Sequence, residues 1–167
     1  AGNNFTQLEI KDLPKLQNLF CADNKQLQSL QLSNLPVLGN LYCHLCSQLI
    51  ELSMTNLPKL SNLDCFNCSI QTLNLSNLIA IERINCSNNQ ISDIDLSSLL
   101  NLQDFNCSNN QLSTLNVSNL IKLTSLRCSD NLLTSLDVHN LKDLITLYCP
   151  NNLLSTINVT GLNILEN

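Results

Sequence analysis

Basic residues are scarce in this chain: 8 Lys and Arg stand against 13 Asp and Glu in 167 residues, a net charge of −5. So little positive charge forms no patch able to neutralise a phosphate backbone, which excludes nucleic acid as a partner. Glycine is nearly missing, and Gly2, Gly39 and Gly161 cannot build a phosphate-cradling loop. Histidine is limited to His44 and His139, which leaves few candidates for acid–base chemistry. No apolar stretch approaches the roughly 18 uninterrupted residues of a membrane span, so no direct membrane insertion is expected. The opening Ala1-Gly2-Asn3-Asn4 carries neither a basic n-region nor an apolar h-region. Any targeting segment is therefore expected to have been removed or to lie outside these residues.

What the chain has in quantity is leucine, cysteine and a period. The hydrophobic content of 44% with 13% charged residues fits a folded chain with a substantial core. Seven of the nine cysteines, Cys21, Cys43, Cys65, Cys86, Cys107, Cys128 and Cys149, are separated by 22, 22, 21, 21, 21 and 21 residues. A fixed period of this length marks a stacked repeat. Aligned on cysteine, the unit reads L-x-x-L-x-C-x-x-N-x-L-x-x-L-x-L, as in Leu123, Leu126, Cys128, Asn131, Leu133, Leu136 and Val138. The next unit repeats it with Leu144, Leu147, Cys149, Asn152, Leu154, Ile157 and Val159. The 22-residue units carry one extra residue before Leu27 and Leu49, which a surface loop absorbs cheaply.

This pattern resembles the leucine-rich-repeat family, whose L-x-x-L-x-L-x-x-N/C-x-L core is matched along essentially the whole chain, with Cys at the third apolar position. The short unit is similar to the 21-residue repeats of internalin-type bacterial surface proteins. The resemblance implies a leucine-rich-repeat solenoid, mainly β, with parallel stacked short strands, little helix and about seven coils. Residues 1–167 then form a single domain. Neither end shows a recognisable cap, and Leu165 looks like the opening of another unit, so a fragment of a longer protein is expected.

The unit can also be read from its residues alone. Around Leu126-Arg127-Cys128, alternation of period two sends Leu126 and Cys128 inward and Ser125, Arg127 and Ser129 outward, as in a strand. One coil cannot bury its apolar side alone, so each must lie on its neighbours. A second strand-like stretch, such as Leu115-Asn116-Val117, should line the opposite wall. The Ser-Asn-Leu runs at residues 33–35, 76–78 and 118–120 should turn the chain between the walls. Asn24, Asn89, Asn110, Asn131 and Asn152 recur where the chain turns inward, and an amide can satisfy both donors and acceptors there. Cys46 and Cys68 take that position in two coils, where a weaker hydrogen-bonding group predicts less rigidity.

Cys43-x-x-Cys46 and Cys65-x-x-Cys68 formally match a four-cysteine zinc pattern, but the repeat alone generates both spacings. In-register stacking puts the strand thiols in one row and the turn thiols in another. Adjacent strands lie close enough for disulfides, yet parallel side-chain directions disfavour the required dihedral. The cysteines are read as buried, reduced thiols acting as small hydrophobes, with no metal and no cofactor. Among outward residues, His44, Asp64 and Ser87 suggest a triad. By analogy with sheet diagonals, Asp64 is expected about 7–8 Å from His44, beyond hydrogen-bond reach, and Ser87 two strands away. His139 reads as a solvated turn residue, and no enzyme is expected. Sequons such as Asn74-Leu75-Ser76 and Asn116-Val117-Ser118 arise as by-products of the repeat.

The residues alternating outward form two columns on the face that the resemblance implies is concave. One is Phe20, Tyr42, Asp64, Asn85, Asn106, Arg127 and Tyr148; the other is Ala22, His44, Phe66, Ser87, Ser108, Ser129 and Pro150. Phe5 and Phe105 fall at core positions. Solvent-facing aromatics on a rigid sheet commonly anchor interfaces, so Phe20, Tyr42, His44, Asp64, Phe66, Arg127 and Tyr148 are the candidate binding residues. The stretch from Asn85 to Ser108 reads as a neutral spacer. The resemblance implies a secreted or cell-surface bacterial recognition or adhesion module, expected to be a monomer, that binds a protein receptor or a glycan. A rigid spacer within a larger surface protein and an intracellular regulatory scaffold are the alternatives, and reduced thiols are compatible with the latter.

Overall fold

The computed structural model describes residues 2–162, so Leu165 lies outside the described residues. Its strands, in chain order, are β1 (Gln7–Lys11), β2 (Asn18–Phe20), β3 (Ser29–Ser33), β4 (Asn40–Tyr42), β5 (Glu51–Thr55), β6 (Asn62–Asp64), β7 (Arg83–Asn85), β8 (Asp104–Asn106), β9 (Ser125–Arg127), β10 (Ser135–Asp137), β11 (Thr146–Tyr148) and β12 (Thr156–Asn158). Among the described residues there is no helix. A seven-stranded parallel sheet runs β2-β4-β6-β7-β8-β9-β11, and its order follows the chain because each coil lands beside the one before it. Register is held by the central apolar residues: Leu19, Leu41, Leu63, Ile84, Phe105, Leu126 and Leu147 pair successively. A slip by one residue would turn this row out to solvent, so burial itself fixes the pairing.

The pairing continues beyond the strands through the cysteines. The Cys43 N–H donates to Asp64 O and the Cys107 N–H to Arg127 O, both at 2.9 Å. Six of the seven ladder thiols are buried, Cys149 in the last coil is half-buried, and all nine cysteines are free. Burial pushes the Cys21, Cys86 and Cys128 thiols up to about 12, and it holds Cys43, Cys65 and Cys107 well above their ordinary value. A thiolate without solvation or a positive neighbour is disfavoured there.

The inward-turn asparagines join two coil levels. Asn110 Nδ2 donates to Cys86 O at 3.0 Å and Cys107 O at 3.1 Å, while its Oδ1 accepts the Ile91 N–H at 2.9 Å. Asn89, Asn131 and Asn152 repeat the arrangement, receiving the N–H of Ile70, Leu112 and Leu133. Asn24 makes a shorter version, donating to Cys21 O at 2.7 Å and accepting the Asn3 N–H.

Cys46 and Cys68 supply only the donor half, with Sγ 3.5 Å from Cys21 O and 3.4 Å from Cys43 O. The weakening expected from this replacement meets a local compensation. In the coils directly beneath them, the extra residue closes a tight turn. The Leu27 N–H donates to Asn24 O at 3.0 Å and the Leu49 N–H to Cys46 O at 2.8 Å. The amide group that an asparagine carbonyl would otherwise serve is therefore already satisfied, and a thiol is sufficient.

The second wall is less regular than the repeat suggests. β1, β3 and β5 form one short sheet and β10 with β12 another, whereas the Leu115-Asn116-Val117 stretch and its counterparts in the two preceding coils form no strand. Leu115 and Val117 still face the core. The difference follows a side chain. In the first three coils this position holds Glu9, Gln31 and Ser53, and five-residue strands form. From the fourth coil onward it holds Asn74, Asp95, Asn116, Asp137 or Asn158. Each of these side chains captures the N–H two residues on, at 2.9–3.2 Å. An N–H bound in this local turn cannot pair with the next coil, so strands vanish or stop at three residues.

Two outcomes follow. Replacing Asn110 with Ala leaves the Ile91 N–H without a partner, while Cys86 O and Cys107 O keep the amides of Asn89 and Asn131. It should lower unfolding free energy by about 1–3 kcal/mol, read from denaturant midpoints, and an unchanged midpoint would contradict the assignment. The elevated thiol values mean that the fold is favoured while these groups stay protonated. Stability should therefore hold below pH 9.0, the ordinary thiol value, and fall as pH rises toward 12. In native protein at pH 8, Cys149 should be alkylated first; simultaneous reaction of all nine thiols would contradict the buried ladder.

Candidate functional site

The seven-stranded sheet presents three outward columns, because the residue that opens each strand alternates to the same side as the two columns after it. The third column is Asn18, Asn40, Asn62, Arg83, Asp104, Ser125 and Thr146, of which the sequence reading placed only Ser125 outward. Period-two alternation carried one step back from Asn85 and Asn106 would have found it. Its consequence is a correction: the central stretch is not a neutral spacer. Arg127 Nη1 pairs with Asp104 Oδ1 at 3.1 Å across β8 and β9, and Arg83 lies exposed beside them. Together with Tyr42, Asn62, Asp64, Asn85 and Asn106 they line a shallow depression on the sheet.

The predicted aromatics divide into two stacks and an outlier. Phe20 lies flat on Tyr42 with ring centroids 4.9 Å apart and planes 3° from parallel. His44 lies on Phe66 at 4.7 Å and 10°. Adjacent parallel strands set this spacing, since rings on in-register positions are separated by about one inter-strand distance of 4.7–4.9 Å. Phe20 is 70% exposed, while Tyr42, His44 and Phe66 are each half-buried by their neighbours. The Tyr42 hydroxyl accepts from Asn62 Nδ2 at 3.0 Å, which fixes the ring. Tyr148 is exposed at the far end of the sheet, five strands from Tyr42, and joins neither stack. The seven candidate residues thus share one face, but only Phe20, Tyr42, His44, Asp64 and Phe66 form a contiguous cluster.

His44 and Asp64 are closer than the diagonal estimate allowed. Asp64 pairs in register with Tyr42, yet His44 Nδ1 approaches Asp64 Oδ2 to 3.4 Å because both side chains lean along the strands. The contact lacks a well-directed hydrogen bond, and His44 Nδ1 is buried without a partner. Burial pushes the Asp64 carboxyl above its ordinary value, more strongly than His44 draws it down. Ser87 does not complete a triad: it is buried, and its hydroxyl donates to Asn85 Oδ1 at 2.8 Å. Ser129, also read as outward, is buried too. His139 is an exposed turn residue whose Nδ1 lies 2.6 Å from Asp137 Oδ1. Among the described residues, no group of three or more His, Cys, Asp or Glu is arranged to hold a metal ion.

The ridge that follows the sheet is the last element of the site. Asp23, Leu45, Asn67, Asn88, Asn109, Asp130 and Asn151 all adopt left-handed backbone with φ between 54° and 59°. Asn and Asp enter this region with less strain than other side-chain-bearing residues. Two rungs of a side-chain ladder run along the ridge, Asn109 to Asn88 and Asn151 to Asp130, each at 2.8 Å.

Solved structures share this architecture. The functional domain of internalin J from Listeria monocytogenes, itself described as including a cysteine ladder, superposes with a TM-score of 0.65 at 29% identity, covering 91% of this chain and 34% of that one. The chain is a leucine-rich-repeat solenoid. Internalin C2 of the same species (TM-score 0.64, 22% identity, 90% of this chain and 77% of that one) has the same fold. So does a leucine-rich-repeat protein of Leptospira interrogans (0.64, 22%, 93% and 47%). This leucine-rich-repeat chain thus spans about a third of the internalin J structure and about half of the Leptospira one. Neither a family model nor a curated relative matches the sequence.

Within the solenoid, Asp64 stands where the two following coils carry Asn85 and Asn106. Its raised value means that ionisation is easier in the unfolded chain, so folding stability falls as pH rises from 3.8, the ordinary carboxyl value, through the folded value. Asp64→Asn should therefore raise the melting temperature at pH 7, and the gain should disappear below pH 3.8. A gain that persisted in acid would show that some other interaction is responsible.

Proposed function

We propose that this solenoid is a non-catalytic recognition module that binds a protein partner on its seven-stranded face, centred on Phe20, Tyr42, His44, Asp64 and Phe66. The observation that carries the reading is the pair of preformed stacks in the first three coils. Four rings are held at fixed spacing on rigid strands, with one face open to solvent at Phe20. Rigid aromatics lose little conformational entropy on binding and dominate interface energetics. The fourth and fifth coils act as an internal comparison, because the same positions there hold Asn85, Ser87, Asn106 and Ser108. The repeat needs no aromatic ring at these places. Arg127 and Tyr148 would form the distal part of the footprint.

Likeness to internalins supports a bacterial origin and a secreted or cell-surface location, with adhesion as the biological role. A protein is preferred to a glycan because the Phe20–Tyr42 and His44–Phe66 rings are stacked on one another, and the Asn62 amide beside them is already used by Tyr42. The solenoid is taken to act as a monomer.

The experiment is glycan-array and surface-protein binding with the wild-type chain and the double variant Tyr42→Ala, Phe66→Ala. A loss of at least tenfold in affinity for a protein partner, with circular dichroism unchanged, is expected. Undiminished binding by the double variant, or selective binding to glycans, would overturn the reading; a wild-type chain inert along the whole face would favour a rigid spacer.

A further inference from the structure

The recognition face continues around the edge of the sheet, and this inference rests on the reading just given. Leu45 follows His44 directly and occupies the ridge position that is Asn or Asp in the six other coils. Its φ of 59° is the same as theirs, so it adopts the left-handed backbone without the short polar side chain that eases it. The core does not require it. Leu45 is 39% exposed and is absent from the apolar cluster that joins the coils. Backbone strain thus disfavours leucine here, and an outlier of that kind is most simply accounted for by a role outside folding.

Position supplies the role. Leu45 sits in the same coil as Tyr42 and His44, so the apolar surface passes from the sheet over the corner onto the ridge. Beside it is an open depression lined by Asp23, Lys25, Leu45, Ser47, Asn67 and Cys68, with leucine and the cysteine edge as its apolar part. On the sheet, the outward columns of the first three coils hold Asp64 and no Lys or Arg, the nearest cation being Arg83 of the fourth coil; on the ridge, Asp23 adds a second carboxylate and Lys25 is the one cation at the depression.

We propose that Leu45 is a specificity-determining contact, seating an apolar side chain of a partner protein whose adjacent basic side chain reaches the Asp23 and Asp64 side of the corner. The apolar contact selects the side chain, and the carboxylates select its neighbour.

The test uses a displayed library of random linear peptides selected on the whole chain, followed by affinity measurement of the enriched peptides on variants. The enriched set should pair an aliphatic or aromatic residue with Lys or Arg. Leu45→Asn should show a higher denaturation midpoint yet bind these peptides at least tenfold more weakly, and Leu45→Met should retain most of the affinity. Normal binding by Leu45→Asn together with weak binding by Tyr42→Ala, Phe66→Ala would overturn the ridge contact and leave the sheet face standing. Normal binding by both variants, or no enrichment over an unrelated protein, would overturn both. A Leu45→Asn chain no more stable than wild type would remove the strain on which the inference rests.

Discussion

Every coil of this molecule must turn inward after its strand, and there the chain leaves an N–H and several carbonyls that cannot reach water. The column of asparagines resolves that constraint: one amide receives an N–H from the coil beneath and returns its own protons to carbonyls of two levels. An unpaired polar group at this depth would cost about as much as a core cavity. Strand pairing, the aliphatic rows and the thiol ladder then stack without local conflict. The two coils that use Cys46 and Cys68 show the constraint at work, since each lies on a coil whose extra residue has already satisfied the N–H in question.

A frame so completely specified makes its exceptions informative. The default outward residues are Asn and Ser, and the default ridge residue is Asn or Asp. The departures, Phe20, Tyr42, His44, Phe66 and Leu45, are concentrated in the first three coils, where two ring stacks and a strained leucine adjoin. Further along the sheet the departures are Arg83, the Asp104–Arg127 ion pair and, in the last coil, Tyr148 and Pro150. Recognition chemistry and structural chemistry are thereby separated by position within the same 21-residue unit.

Much of this was legible in the sequence because a repeat prints the same physical requirement many times. The parallel strands, buried cysteines, amide column and outward columns each recur at one offset, so period-two alternation and burial sufficed to place them. What escaped depended on side-chain reach and on local competition. The His44–Asp64 approach of 3.4 Å arises from the lean of two side chains, which Cα spacing does not report. The missing strand at Leu115-Asn116-Val117 reflects capture of the Ser118 N–H by Asn116, a contest the apolar pattern does not register. The Arg83 and Asp104 column was overlooked because the alternation was carried back to the first strand residue only at Ser125, where the side chain is small and uncharged. The left-handed backbone at Leu45 was hidden because its side chain gives no sign of it.

The amide column holds the coils together, and native-state hydrogen exchange measures its contribution most directly. The N–H groups of Ile70, Ile91, Leu112 and Leu133, each received by an asparagine carbonyl of the next coil, should exchange only through the cooperative opening that frees the central strands. Exchange of these four at the rate of exposed turn amides, with the strands still protected, would show that the column does not hold the coils together.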